Sequence, residues 1–298
     1  MILYIIGNGF DSHHKMDTKY SDYKLYLEQN HPDLYRDFSS CEYLINYRDK
    51  DLWNDVEKSL TLVCDDYYED IENLYPDLTS EKTPGWDDIY LATRNEFGFL
   101  KRITGPVFRD WISSIKVKDA DSKLEIDVSG YFVTFNYTYT LEQSYHIDPK
   151  RVFHIHGTID EKMLFGSPDN DSASIYNGMK KQYSADEWFD LVYEPALKEL
   201  VNCCDAASKN IKKNEVFLKS FIERIIANDV INEVVIMGNV FDGVDKPYYQ
   251  DVLIPMLADA TWTFYIYGED DTKLKEEETK VTTFAEDNRI SYRIQMWP

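Results

Sequence analysis

Short unbroken apolar runs, several of them closed by glycine or asparagine, recur along this chain. The first is Ile2-Leu3-Tyr4-Ile5-Ile6, ended by Gly7. Tyr131-Phe132-Val133-Thr134-Phe135 ends at Asn136, and Glu233-Val234-Val235-Ile236-Met237 ends at Gly238. Arg151 to Ile155, Met163 to Phe165 (closed by Gly166-Ser167-Pro168), Thr261 to Tyr267 and Ile290 to Met296 read as further short strands. Continuous rather than alternating apolar runs predict strands buried on both faces, as in a parallel sheet.

Between these runs the apolar period lengthens to three and four residues. Thr18 is placed to cap a helix through Tyr20, Tyr23, Leu25 and Leu27. From Asp51 to Tyr75, the positions Trp53, Val56, Leu60, Val63, Tyr67, Ile71 and Leu74 form one helical stripe. Asp87 to Ile115 carries another, with Gly105-Pro106 as a kink. Thr138 to Tyr145, Asp186 to Asn228 (broken near Lys209 to Asn214), Pro247 to Leu257 and Thr272 to Glu286 also read as helical. Strand–helix alternation at both ends predicts an α/β fold. The expected organisation is a single α/β domain over residues 1–298. Its core strands fall at about 1–19, 129–171 and 229–298, and helical insertions at about 20–128 and 172–228 form a cap.

Composition narrows the function classes. The 298 residues are 43% hydrophobic and 15% aromatic, including 23 Tyr, which excludes a disordered chain and allows a sizeable core. The net charge of −22, from 54 acidic and 32 basic residues, disfavours broad nucleic-acid binding. Lys180-Lys181 and the Lys209–Lys213 cluster read as helix faces or ends. The pairs Asp65-Asp66 and Glu69-Asp70 read as a solvated acidic face. A small anion is still compatible with this charge, because backbone N–H groups can bind one without net positive charge. The four cysteines, Cys41, Cys64, Cys203 and Cys204, contain no C-x-x-C pair. Reduced thiols and a cytoplasmic location are expected, with no zinc ribbon. No leader pattern and no apolar run of about 18 residues point to export or a membrane. Neither a G-x-S-x-G elbow nor a G-x-x-x-x-G-K-S/T loop is present, which disfavours serine hydrolases and P-loop NTPases.

The chemistry concentrates after the strands. The loops at Gly7-Asn8-Gly9, Asn136 and Gly238-Asn239 would share one crevice if their strands are parallel, because ligands of open α/β sheets bind at the carboxyl ends. Gly7-Asn8-Gly9-Phe10-Asp11 alone is equally compatible with a plain turn and with a nucleotide loop. It lacks the third glycine of the dinucleotide fingerprint. Asp11 reads either as a turn or helix N-cap, or as a partner for a ribose or a neighbouring side chain. In Phe153-His154-Ile155-His156-Gly157, strand alternation puts His154 and His156 on one face. No third ligand accompanies them with metal spacing, so no metal is expected. His156, beside Gly157, suits a general base, whereas His154 reads as a satisfied half-buried histidine.

Together these stretches resemble the AbiH family of bacteriophage abortive-infection proteins. Ile5 to Tyr23 is similar to the family's G-N-G-F-D-x-x-H-G-L-x-T-x-Y-x-D-F, and Trp53-Asn54-Asp55-Val56-Glu57 to W-x-D-I/V-E. Phe135 to Tyr145 (FNYTYTLEQSY) and His154 to Gly157 (HIHG) follow in order. Met237 to Tyr249 is similar to G-H-S-L-x-x-x-D-x-x-Y-F/Y. Lys15 replaces a family glycine, and Asn239-Val240-Phe241 replaces His-Ser-Leu. The family in turn resembles the Rossmann-like, sirtuin-like NAD-binding fold. Gly7-Asn8-Gly9, Thr134-Phe135-Asn136-Tyr137-Thr138 and His156-Gly157 stand in the order of the sirtuin G-A-G, T-x-N-x-D and His-Gly segments. Thr138 replaces the aspartate, and the zinc cysteines have no counterpart.

The resemblance implies an anti-phage protein that binds NAD or a related nucleotide and hydrolyses the nicotinamide–ribose bond. Asn136 and His156 would be catalytic. Gly7, Asn8, Gly9, Phe10, Asp11, His14, Thr18, Tyr20, Thr134, Tyr137, Thr138, Gly157, Gly238, Asn239 and Asp245 would surround the nucleotide. A phage or host protein as trigger and a homo-oligomer are compatible partners. A nucleotide-binding sensor without turnover, or a partner-binding protein of a defence system, is the alternative.

Overall fold

The apolar runs pair side by side. In a computed structural model of the chain, β1 (Ile2–Ile6), β2 (Tyr131–Thr134), β3 (Val152–His154), β4 (Glu233–Met237), β5 (Thr261–Ile266) and β6 (Ser291–Met296) form one sheet. Its order is β3-β2-β1-β4-β5-β6, and every pairing is parallel. The structure describes residues 1–45, 52–53, 55–75, 85–117, 124–238, 241, 243–268 and 270–297. The strand order reverses between β1 and β4, which is the topological switch point of a Rossmann-like sheet. Ile6 is level with Thr134 and Met237, and Thr134 with His154. The loops after β1, β2, β3 and β4 therefore leave one edge of the sheet together.

Both faces of the central strands are covered, as their continuous apolar character requires. Leu3, Ile5, Val133, Val234, Ile236, Trp262 and Phe264 point into one core cluster. Tyr4, Ile6, Phe132, Val235 and Met237 point into the other. The helices, in chain order, are α1 (Asn8–His13), α2 (Tyr20–Asn30), α3 (Pro32–Ser40), α4 (Val56–Ser59), α5 (Asp65–Glu72), α6 (Asp88–Ile103), α7 (Pro106–Ser114) and α8 (Thr140–Tyr145), then α9 (Ser172–Tyr183), α10 (Phe189–Ala206), α11 (Ile211–Ile226), α12 (Ile254–Leu257) and α13 (Asp271–Asp287). α11 contributes Leu218, Phe221, Ile222 and Ile225 to the first cluster, and α13 contributes Val281 and Ala285. α8 contributes Leu141 and Tyr145 to the second.

Two compact units result. One holds residues 1–19, 112–163 and 210–298, including the whole sheet; the other holds 20–111 and 164–209. Within the second unit, an aromatic cluster surrounds Tyr23, which lies 5.2 Å from Phe108 and 4.9 Å from Trp111. The buried Lys209 ammonium meets both carboxylate oxygens of Glu57 at 3.1 Å. Glu57 of the W-x-D-I/V-E stretch is thereby a structural anchor of this unit.

Several local expectations are corrected. The single helix over Asp51–Tyr75 is, among the described residues, α4 and α5. Between them Val63 N–H donates to Tyr43 O, and Ile45 N–H to Thr61 O, so a long-range bridge interrupts the helical stripe. Met163 to Phe165 forms no strand; Phe165 instead buries its ring against Phe108, with centroids 4.2 Å apart. The Gly105-Pro106 kink is a full break between α6 and α7. Thr18 does not cap α2: its hydroxyl donates to Asn8 Oδ1 at 2.6 Å. All four cysteines are buried and unbridged.

Candidate functional site

The loops after β1 and β4 meet backbone to backbone. Gly7 N–H donates to Met237 O (3.0 Å), Gly9 N–H to Gly238 O (2.9 Å) and Phe10 N–H to Gly7 O (2.9 Å). A Cβ on Gly9 would lie 2.7 Å from Gly238 Cα, and Gly238 has φ +64°. Both glycines are needed here, one for close approach and one for its left-handed backbone. β1 passes into α1 with Gly7 as the N-cap and no intervening turn. Asn239 lies outside the described residues.

Asp11 is fully buried and is not a helix cap. Its carboxylate accepts from the hydroxyls of Thr138 (Oδ2, 2.6 Å) and Thr140 (Oδ1, 2.8 Å). Burial raises its pKa to about 6, against the lowering effect of those hydroxyls and of the Asn136 side chain. Asp11 thus ties the β1 loop to the β2 loop through Thr138 and Thr140.

His14 closes the back of α1. Its Nδ1–H donates to Phe10 O (2.7 Å), and its Nε2 accepts from the Tyr145 hydroxyl (2.8 Å). That hydroxyl oxygen accepts in turn from Leu124 N–H (2.9 Å). Every member of this chain is satisfied by a neutral imidazole, and burial lowers the His14 pKa accordingly.

At the end of β2, Thr134 Oγ1 accepts from Asn136 N–H (3.1 Å), and Asn136 Nδ2 donates to Gly7 O (3.1 Å). His154 bonds Asn136 O (3.1 Å) through Nδ1 and Glu142 Oε1 (2.9 Å) through Nε2. It is a satisfied, half-buried residue that holds α8 against β3. β3 stops at His154, and Ile155 and His156 form a turn, so alternation does not extend to His156. The two histidines have different surroundings.

His156 faces Asp245, with Nε2 and Oδ1 3.3 Å apart. Its ring lies 5.4 Å from that of Phe135, 5.9 Å from Tyr137 and 6.0 Å from Tyr248. The His156 side chain is only 4% exposed, while the Asp245 side chain is 20% exposed. Gly157 has φ +74°, and a Cβ there would collide with Lys162 O. This glycine allows the chain to turn sharply after the histidine. Asp245 ends a 3-10 turn (Gly243–Asp245), followed by a π-helical turn over Tyr248–Leu253. π-turns are rare and concentrate at functional sites. This one buries Tyr248 and Tyr249 completely. Tyr248 Oη accepts from Asn214 Nδ2 (3.3 Å), which also donates to Ile155 O (3.1 Å), so α11 holds the turn that carries His156. The buried Tyr249 hydroxyl has no hydrogen-bond partner among the described residues. Its pKa is raised far above the phenol range by burial and then by the Asp245 charge.

Of the residues expected at the site, Gly7, Asn8, Gly9, Phe10, Asp11, His14, Thr18, Thr134, Asn136, Tyr137, Thr138, His156, Gly157, Gly238 and Asp245 belong to the sheet unit. Tyr20 belongs to the other unit, where its ring stacks on Phe165 at 5.4 Å. Sequence reasoning missed Thr140, Glu142, Tyr145 and Asn214 as supporting residues, and Tyr248 and Tyr249 as walls. All but Asn214 lie inside the matched stretches FNYTYTLEQSY and Met237–Tyr249, which was the available signal.

Fold and site define a Rossmann-like parallel α/β protein with a histidine–carboxylate pair at the carboxyl edge of its sheet. A family model described as "Bacteriophage abortive infection AbiH" matches residues 3–266, and the chain belongs to that family. No curated protein and no solved structure matches it. Among the described residues, no helix is long and apolar enough to cross a membrane.

Proposed function

We propose that this abortive-infection protein binds NAD or a related nucleotide at the carboxyl edge of β1, β2 and β4 and hydrolyses its nicotinamide–ribose bond. The carrying observation is the buried His156 facing the partly exposed Asp245, beside the switch point of a β3-β2-β1-β4-β5-β6 sheet. Dinucleotides bind at switch points of such sheets. The order of the glycine, Asn136 and His156-Gly157 segments, which resembles sirtuin-like proteins, supports the same reading.

The residues fit this substrate at its ribose end. Water attacks the anomeric carbon as the bond to the pyridinium nitrogen breaks, and nicotinamide leaves with the bonding electron pair. His156 takes the proton of that water, and Asp245 stabilises the imidazolium. Asn136, fixed through Gly7 O and Thr134, positions a ribose hydroxyl or the water. At the pyrophosphate, the amides of Gly7, Gly9 and Phe10 are already bonded. Asn8 takes that role, positioned by Thr18: the Thr18 proton occupies Asn8 Oδ1 and leaves the Asn8 amide NH₂ to donate. The test is NAD consumption by the purified protein and by an infected host. No consumption by either wild type or His156→Ala refutes hydrolysis, and equal consumption by the two refutes His156 as its base.

A second reading, a nucleotide sensor without turnover, is favoured by Asn239-Val240, which stand where the family has the polar pair His-Ser. Phe241, in place of the family's Leu, keeps an apolar side chain in the core, 4.4 Å from Phe284 and 5.6 Å from Phe264. Saturable NAD binding by calorimetry without nicotinamide release supports it.

A further inference from the structure

At the opposite, amino-terminal edge of the sheet lies a cleft of about 270 Å³. Tyr131 at the start of β2, Asp148, Lys150 and Arg151 ahead of β3, and Arg224 and Asn228 at the end of α11 line it. Three cations in one small cleft are unexpected in a chain of net charge −22. Their partners make them more so. Arg151 Nη1 donates to Ser129 O (2.6 Å) and Arg224 Nη2 to Lys150 O (3.3 Å). Arg151 also lies over the Tyr131 ring at 4.9 Å, and Arg224 over Phe221 at 5.1 Å. These contacts hold both guanidiniums in place without neutralising them. Among the described residues neither guanidinium forms an ion pair, nor does the Lys150 ammonium.

The nearby carboxylates keep their charge, and Asp127 feels that of Arg151, but among the described residues none comes within ion-pair distance of these three cations; each accepts from a neutral donor. Asp127 accepts from Ser129 N–H (2.9 Å) and Oγ–H (2.6 Å), Asp148 from Lys150 N–H (2.9 Å), and Asp229 from the Tyr131 hydroxyl (2.8 Å). Planar guanidiniums fixed in this way match the paired oxygens of a carboxylate or phosphate, and the strongest such contacts are charge-assisted and bidentate. The volume is just under the roughly 300–1,000 Å³ of pockets for drug-sized ligands, which suits a small metabolite. We propose that this cleft is a second ligand site, which takes the oxyanion of a small phosphorylated or carboxylated metabolite between Arg151, Arg224 and Lys150.

The test is calorimetric titration of the full chain with ribose 5-phosphate and, separately, with succinate, at constant ionic strength. Saturable binding of one probe supports the proposal and says whether the oxyanion is phosphate or carboxylate. Arg151→Gln and Arg224→Gln should each weaken it at least tenfold. Lys150→Gln, whose ammonium makes no hydrogen bond among the described residues, should weaken it severalfold with an unchanged melting curve. The proposal is overturned if neither probe binds, or if Lys150→Gln and both arginine variants bind like wild type.

Discussion

The buried Asp11 carboxylate gives the fold a pH signature that one substitution should erase. Burial lifts its pKa from the ordinary 3.8 to about 6. The folded state therefore holds this proton over a range in which the unfolded chain has released it. Stability from this group is fully present below 3.8, falls as pH rises through about 6, and stays low above that. The span of about 2.2 pH units, at about 1.36 kcal/mol each, corresponds to about 3 kcal/mol. Asp11→Asn keeps the shape and lets the amide bond Thr138 and Thr140, but it carries no titrating proton. The sequence pI is about 4.6, so solubility confines the assay to higher pH. Between pH 5 and 7.5 about 1.4 kcal/mol of the effect is left to read. Urea unfolding of both proteins across that range should show the variant gaining about that much on wild type as pH rises. His14, whose lowered pKa acts with the opposite sign, is present in both proteins and cancels. Parallel pH profiles for the two proteins would refute the account of Asp11 as a strained, buried acid.

Other substitutions probe the same geometry. Lys15 sits at φ +55° just past α1, where the family carries glycine, so Lys15→Gly should raise stability by about 0.5–1 kcal/mol, read as a higher Tm. Gly157→Ala places a Cβ against Lys162 O at φ +74°; a loss of about 2 kcal/mol or more is expected by urea denaturation. Lys209→Met strands the buried Glu57 carboxylate and should cost about 3–5 kcal/mol, whereas Lys209→Met with Glu57→Leu should recover much of it.

The centre of the sheet was readable because its strands are buried on both faces, so Ile2–Ile6 and Val234–Met237 announce themselves as unbroken apolar runs. The loops after them were readable for a related reason, since glycine must stand where two backbones touch, as at Gly9 and Gly238. What was hidden depends on partners far along the chain. The bridge of Tyr43 and Ile45 to Thr61 and Val63, which splits the expected helix, leaves no local periodicity. The threonines that hold Asp11 lie more than a hundred residues beyond it, and Thr18 gave up a plausible cap for Asn8. The short helix α3, with Pro32 at its start, and the π-turn at Tyr248 fell outside the 3.6-residue pattern. Asp245 was expected beside a nucleotide; its pairing with His156 was legible only once β3 ended at His154 and the chain turned.

The central claim is that His156 delivers water to the ribose of a nucleotide at this edge. Incubation of the purified protein with NAD in ¹⁸O-labelled water, followed by mass spectrometry, tests it most directly. The account predicts nicotinamide and ADP-ribose with one ¹⁸O at the anomeric carbon, a product reduced on the order of a hundredfold or more in His156→Ala and more mildly in Asp245→Asn. Unconsumed NAD, or labelled product formed equally by wild type and His156→Ala, would contradict it.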